Sequence, residues 1–262
     1  MSGLECTHAG TFASAVRAEA LKARHGAPVR LALALALPAP LLAAFIAARM
    51  PQLGLQYAPW NYWYALLMPV AIALVAATVA NADARAGNRA LLSDGTPLVR
   101  AWCAKVAWCL VLSLLSNLVV FAVYAALSAL VPAGAASVPS MLAAALVLTL
   151  ASSWMIPASL FLTMRAGVLA GVFVPLALQL ALSFGWSAVP FWPACPPTAT
   201  IMLPTAFLPV LPSGEPASAG TALVDALSQG GDVALALVVA GALTTLLTAA
   251  GAAWFSRSEE LR

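Results

Sequence analysis

The chain has 262 residues, 63% of them hydrophobic and only 8% charged, with a formal net charge of +3 and a mean hydropathy of +0.96. Soluble globular domains carry about 25% charged residues, so this composition excludes an ordinary water-soluble enzyme and predicts an all-α, polytopic integral membrane protein. With no nucleic-acid-binding motif behind the small positive charge, no nucleic-acid partner is expected; membrane lipid is.

Residues 1–29 read as a polar N-terminal segment. Phe12, Val16, Ala20 and Ala23 fall on one side of a helix spanning Phe12 to Arg24, which predicts an interfacial helix ahead of the first span. Glu19 and Lys22, three apart, can pair on it. Arg17, Glu19, Lys22, Arg24 and Arg30 make the segment too long and too mixed in charge for a signal peptide, so the first span is expected to stay. Gly26 and Pro28 end the helix.

Span one is predicted over Leu31 to Ala48, bent by Pro38 and Pro40. After an external loop, Tyr57, Trp60, Tyr62, Trp63 and Tyr64 are expected as an interfacial aromatic cluster where span two, Tyr62 to Ala80, enters the membrane. Asn81 to Lys105 is the longest internal polar stretch. Within it, Leu91 and Leu92 between Arg89 and Asp94, stopped by Gly95 and Pro97, predict a short amphipathic helix at the membrane surface. Either this is a docking element, or it is a solvated loop whose basic residues set topology.

Val106 to Val131 is span three, with Asn117 near its middle; an amide there either bridges helices or contacts a transported molecule. Span four, about Ser140 to Met164, is expected to kink at Ser152-Ser153-Trp154-Met155-Ile156-Pro157. Span five, Ala166 to Trp186, opens with Gly167-x-x-x-Gly171 and carries Pro175 and Gln179; an intrachain contact accounts for the glycine pair. The proline-rich first half of the external region 187–232 is expected to fold into the membrane interface and pack on the bundle. Val233 to Phe255 is span six, so the spanning domain runs over 30–256 and 257–262 forms a tail.

Six spans put both termini on one side. Arg17, Lys22, Arg24, Arg30, Arg85, Arg89, Arg100, Lys105, Arg165, Arg257 and Arg262, eleven of the twelve basic residues, then lie together, and the positive-inside rule makes that side cytoplasmic. The four cysteines, Cys6, Cys103, Cys109 and Cys195, form no C-x-x-C pair, and His8 and His25 have no metal-ligand spacing, so neither a disulfide, a metal nor another cofactor is expected. Phosphate-loop, H-E-x-x-H and G-x-S-x-G motifs are missing, as is a pair of carboxylates within the spans, which argues against catalysis. The spans also lack the ionisable groups that coupled carriers commonly use.

Three local features resemble the ABC-2 type permeases. Phe12 and Glu19-x-x-Lys22 are similar to that family's segment before the first span. Asp83, Leu91-Leu92-Ser93, Pro97-Leu98-Val99-Arg100 and Lys105 are similar to its loop, with Asp83 where glutamate is common. Trp60-Asn61-x-Trp63-Tyr64 and Trp154-Met155-Ile156-Pro157 resemble the lantibiotic- and bacteriocin-immunity branch. The resemblance implies a permease subunit in a bacterial cytoplasmic membrane, with a second permease chain, identical or paralogous, and a separate cytoplasmic ABC ATPase as partners. It implies export of an amphipathic antimicrobial peptide or similar hydrophobic compound. Glu19, Lys22, Arg85, Arg89, Asp94, Pro97 and Arg100 would couple the ATPase to the spans, and Asn117, Trp154, Pro157 and Gln179 are pathway candidates. An ATP-independent carrier or channel, and a non-transporting scaffold or sensor, are the alternatives.

Overall fold

Alanine sets how closely these helices approach, because lipid tails supply no hydrophobic drive for one apolar helix to bury against another, and small side chains allow dispersion contacts between backbones instead. The computed structural model describes residues 11–23, 26–85, 97–217, 223, 224, 227 and 230–257, with the backbone alone at 83–85. Helix α1, Phe12–Ala23, precedes α2, Ala27–Ala36, and α3, Pro38–Arg49. These two run on as one bent span with the break at Leu37, since Pro38 has no N–H to continue the ladder. Ala32, Ala36, Ala39, Ala43 and Ala47 form its buried stripe.

The next span begins as α4, Ala58–Tyr62, widens into a π turn over Trp63–Leu67 and continues as α5, Met68–Arg85. It is enclosed by α2, by α6 (Leu98–Leu130), by α8 (Met155–Ala166) and by α9 (Val168–Phe184). Ala71, Ile72, Ala73, Val75, Ala76, Ala77, Val79 and Ala80 are all buried, the all-round apolar pattern of a central helix.

Helix α6 has 33 residues, about 50 Å at 1.5 Å per residue, against a hydrocarbon core of about 30 Å. Its first turns therefore extend beyond the span. This corrects the expected loop of 81–105: Leu98 to Lys105 belongs to α6, whose N-cap is Pro97, because no breaker follows that proline. The chain through Arg85 likewise continues α5. The short helix expected around Leu91 and Leu92 lies outside the described residues, as do Arg24, Arg89, Asp94 and Arg262.

Helix α7, Val138–Ser152, capped by Ser137, is separated from α8 by the expected kink. At that break the Ser152 hydroxyl donates to Leu148 O at 2.7 Å and the Ser153 hydroxyl bonds to Leu150 O at 2.7 Å. Gly167, in the left-handed region at φ 93°, turns α8 directly into α9. On α9, Gly171 is seated so closely against Ser159 and Thr163 of α8 that a side chain there would collide with both. Gly171 thus serves an intrachain packing, whereas an added side chain at Gly167 would meet nothing within 4 Å.

Beyond α9 the chain turns back into the bundle as the seven-residue α10, Pro196–Met202. Every residue from Pro196 to Thr205 is buried. The final helix, α11, is Gly231–Arg257. Five helical segments are long and apolar enough to cross a membrane: Ala27–Arg49, Ala58–Ala82, Leu98–Leu130, Val138–Ala166 and Gly231–Arg257. The expected fifth of six spans is the shorter apolar helix α9, of 17 residues, so a multi-pass helical membrane protein is shown and the count of six is not.

Candidate functional site

At the end of the bundle where α5 finishes and α6 begins, a lysine stands in the wall of a largely apolar helix. Lys105 is fully buried, and such a charge needs a counter-ion and hydrogen-bond partners. Glu19 of α1 supplies them: the Lys105 ammonium donates to both Glu19 carboxylate oxygens at 3.1 Å. Lys22 donates to Glu19 Oε1 at 2.9 Å, as the three-residue spacing predicted. The side chain of Glu19 is 7% exposed, that of Lys105 0% and that of Lys22 33%, so the pair with Lys105 is the interior one. Glu19 and Lys22 also line a cleft of about 210 Å³ with Gly26, Pro28, Thr78 and Ala82, which lies between α1 and the last turns of α5.

The other coupling candidates sit around this pair. Pro97 is exposed and starts α6, and Arg100 lies half-buried on its first turn. Arg85 closes α5, but its side chain, with that of Asp83, lies outside the described residues. Lys105 was legible as part of a motif but not as the partner of Glu19. The available signal was its position: it is the last charge before an uncharged stretch that reaches Arg165.

Deeper in the bundle, Asn117 uses its amide to hold three helical segments. Its Oδ1 accepts from Trp63 Nε1 at 2.9 Å, and its Nδ2 donates to Ser113 O at 3.2 Å and to Thr149 Oγ1 at 3.0 Å. The aromatic cluster expected where span two enters the membrane lies mostly inside the protein. Trp60, Trp63 and Tyr64 are fully buried and Tyr57 nearly so, while Tyr62 faces outward. Rings of and just before α4 pack against α6: Trp60 lies 4.5 Å from Tyr124, centroid to centroid, and Tyr57 lies 5.3 Å from it. Just ahead of this span, burial raises the pKa of the Tyr57 phenol, opposed by the hydrogen bond it accepts from Ala136 N.

Gln179 clamps the returning segment. Its Nε2 donates to Ser183 Oγ at 2.8 Å and to Pro197 O at 3.0 Å, and Ser183 Oγ donates to the same carbonyl at 2.9 Å. Asn61, read from the sequence only as part of the Trp60-Asn61 motif and not as a site residue, fastens the stretch beyond α10 by donating to Tyr64 Oη at 2.9 Å, Leu211 O at 3.3 Å and Pro212 O at 3.2 Å. Trp154 and Pro157 are buried at the kink between α7 and α8. The four pathway candidates are therefore interior residues and share no single site.

Among the described residues, no group of three or more His, Cys, Asp and Glu side chains could hold a metal ion. What the basic end can do is mechanical: a buried, doubly hydrogen-bonded ion pair makes α1 and the base of α6 move together. Comparison with protein-family models, with curated proteins and with solved structures finds no match to this chain.

Proposed function

We propose that this chain is the membrane-spanning permease subunit of an ATP-driven exporter of the ABC-2 type, working with a second permease chain and a separate cytoplasmic ATPase. The observation that carries the reading is the Glu19–Lys105 pair. It ties the N-terminal helix to the base of α6, directly after the basic segment between α5 and α6. A partner that pushed on that segment would move α1, α5 and α6 as one lever, and α5 is the helix the others surround. Such a partner must engage two arrangements of the bundle with different affinity, since otherwise its binding shifts nothing.

In this reading the basic end is cytoplasmic, as are both termini, and α9 is a sixth crossing. Its 17 residues span about 25 Å, a mismatch that local bilayer thinning accommodates. Arg85, Arg89, Asp94, Pro97 and Arg100 form the docking segment, backed by Glu19 and Lys22. A cargo that partitions into lipid, such as an amphipathic antimicrobial peptide, fits the largely uncharged spans. Movement of α7, α8 and α9 about the kink at Trp154 and Pro157 would open a route past Asn117 and Gln179.

The test is affinity purification from the native host in mild detergent, comparing wild type with an Arg85→Glu/Arg89→Glu/Arg100→Glu variant. A Walker-type ATPase held by wild type and lost by the variant is the expected result. Wild type recovered without an ATPase, under conditions that preserve other membrane complexes, would move the assignment to an ATP-independent carrier.

A further inference from the structure

We infer that the groove between α6 and α11 binds an anionic phospholipid, its acyl chain along the groove and its phosphate between Arg100 and Arg257. The inference needs only that these helices cross a bilayer; it shares Arg100 alone with the docking segment of the exporter reading. The groove, about 660 Å³ and open along one side, is walled by Val99, Cys103 and Ala107 of α6 and by Thr245, Ala249 and Ala253 of α11, among others. The threonines do not make it polar. Thr244, Thr245 and Thr248 donate their hydroxyls to Ala240 O, Gly241 O and Thr244 O one turn back, at 2.7 to 2.8 Å, so these donors are satisfied within the helix.

Its length and its ends select the ligand. Val99 to Leu110 covers about 16 Å of helix, close to half of a hydrocarbon core of about 30 Å, so the groove occupies one leaflet. Helical register then puts an arginine at the same end of each wall. Arg100 precedes Cys103 and Ala107 by three and seven residues, and Arg257 follows Ala253 and Ala249 by four and eight. The two helices meet at this end, where Trp102 Nε1 donates to Thr248 O at 2.9 Å and the indole packs against Phe255. Arg100 has contacts of its own within the chain, but a guanidinium carries five N–H donors in a planar fork, suited to phosphate. Basic pockets between spanning helices at a leaflet surface recognise such headgroups. A second copy of this chain fits less well, because a two-fold contact along the groove would bring the arginines of both copies together.

The experiment quantifies lipids retained by the full chain purified in detergent and follows thermal unfolding on adding phosphatidylglycerol, phosphatidylcholine or inorganic phosphate. Wild type should retain anionic over zwitterionic phospholipid relative to the source membrane and be stabilised by phosphatidylglycerol alone. Each arginine contributes about fivefold to that preference, roughly thirtyfold for both. Arg100→Gln/Arg257→Gln should lose the preference while still unfolding in one cooperative transition in lipid-free detergent. Ala249→Leu/Ala253→Leu should lose the retained lipid itself. Equal retention of both lipid classes by wild type, an unchanged preference in the arginine variant, stabilisation by inorganic phosphate alone, or a disulfide-linked dimer formed through Thr245→Cys in membranes would each overturn the proposal.

Discussion

Lys105 reaches Glu19 across 86 positions of sequence, its ammonium 3.1 Å from each carboxylate oxygen with no exposure of its own. Glu19 bonds Lys22 as well, so one carboxylate serves two lysines of unequal burial. The two bonds should differ in energetic weight accordingly.

Removing one member of the interior pair takes from the buried group left behind an opposite charge 3.1 Å away, and breaking such a buried pair costs up to about 3–5 kcal/mol. Lys105→Met and Glu19→Gln should each lower the unfolding temperature in detergent strongly, and the double variant should lose less than the sum of the two. Strict additivity would mean that the pair is not coupled. Lys22→Ala, touching the more exposed bond, should cost less than about 1 kcal/mol.

Gly251 of α11 faces the Trp102 indole so closely that any side chain would strike the ring. Gly251→Val should destabilise by about 1–3 kcal/mol through overpacking, and Trp102→Leu should recover part of that loss in the same protein. A Gly251→Val variant melting at the wild-type temperature would show that the two helices are not seated as described.

Asn117→Leu removes the acceptor of the Trp63 indole and the donor to Thr149. Interhelical hydrogen bonds in membranes average about 0.6 kcal/mol and reach about 1.7, so thermal unfolding should show a loss of roughly 1–3 kcal/mol. In a Trp63→Phe background the same substitution should cost less. Equal losses in both backgrounds would break the proposed link between these helices.

Helix α9 can be tested as a crossing by labelling. In a background with the native cysteines replaced by alanine, Ala166→Cys and Ser187→Cys, both at exposed positions, should react with an impermeant maleimide from opposite sides of the membrane. Labelling of both from one side would reduce the count of crossings.

Some features were set by the sequence alone because they are local. Chains that must satisfy every backbone group inside a bilayer become helices, so the apolar runs, their proline and serine breaks and the Glu19–Lys22 pair could be read directly from neighbouring residues. Lys105, by contrast, reads as the closing lysine of a polar loop, although it heads a long uncharged stretch.

Tertiary structure decided the rest. Apolar all round, these spans carry no periodicity that tells a lipid face from a protein face, so Trp60, Trp63 and Tyr64 could not be assigned inward and the Pro196–Thr205 segment could not be placed inside the bundle. Helix ends were similarly hidden: nothing between Pro97 and Lys105 marks whether those residues continue a loop or begin α6. Which helix meets which depends on a few small residues and polar groups far apart in the chain, Gly251 with Trp102, Asn117 with Trp63, Gln179 with Pro197 and Glu19 with Lys105. Each of those residue types is common to many possible partners, and only close packing in three dimensions selects one.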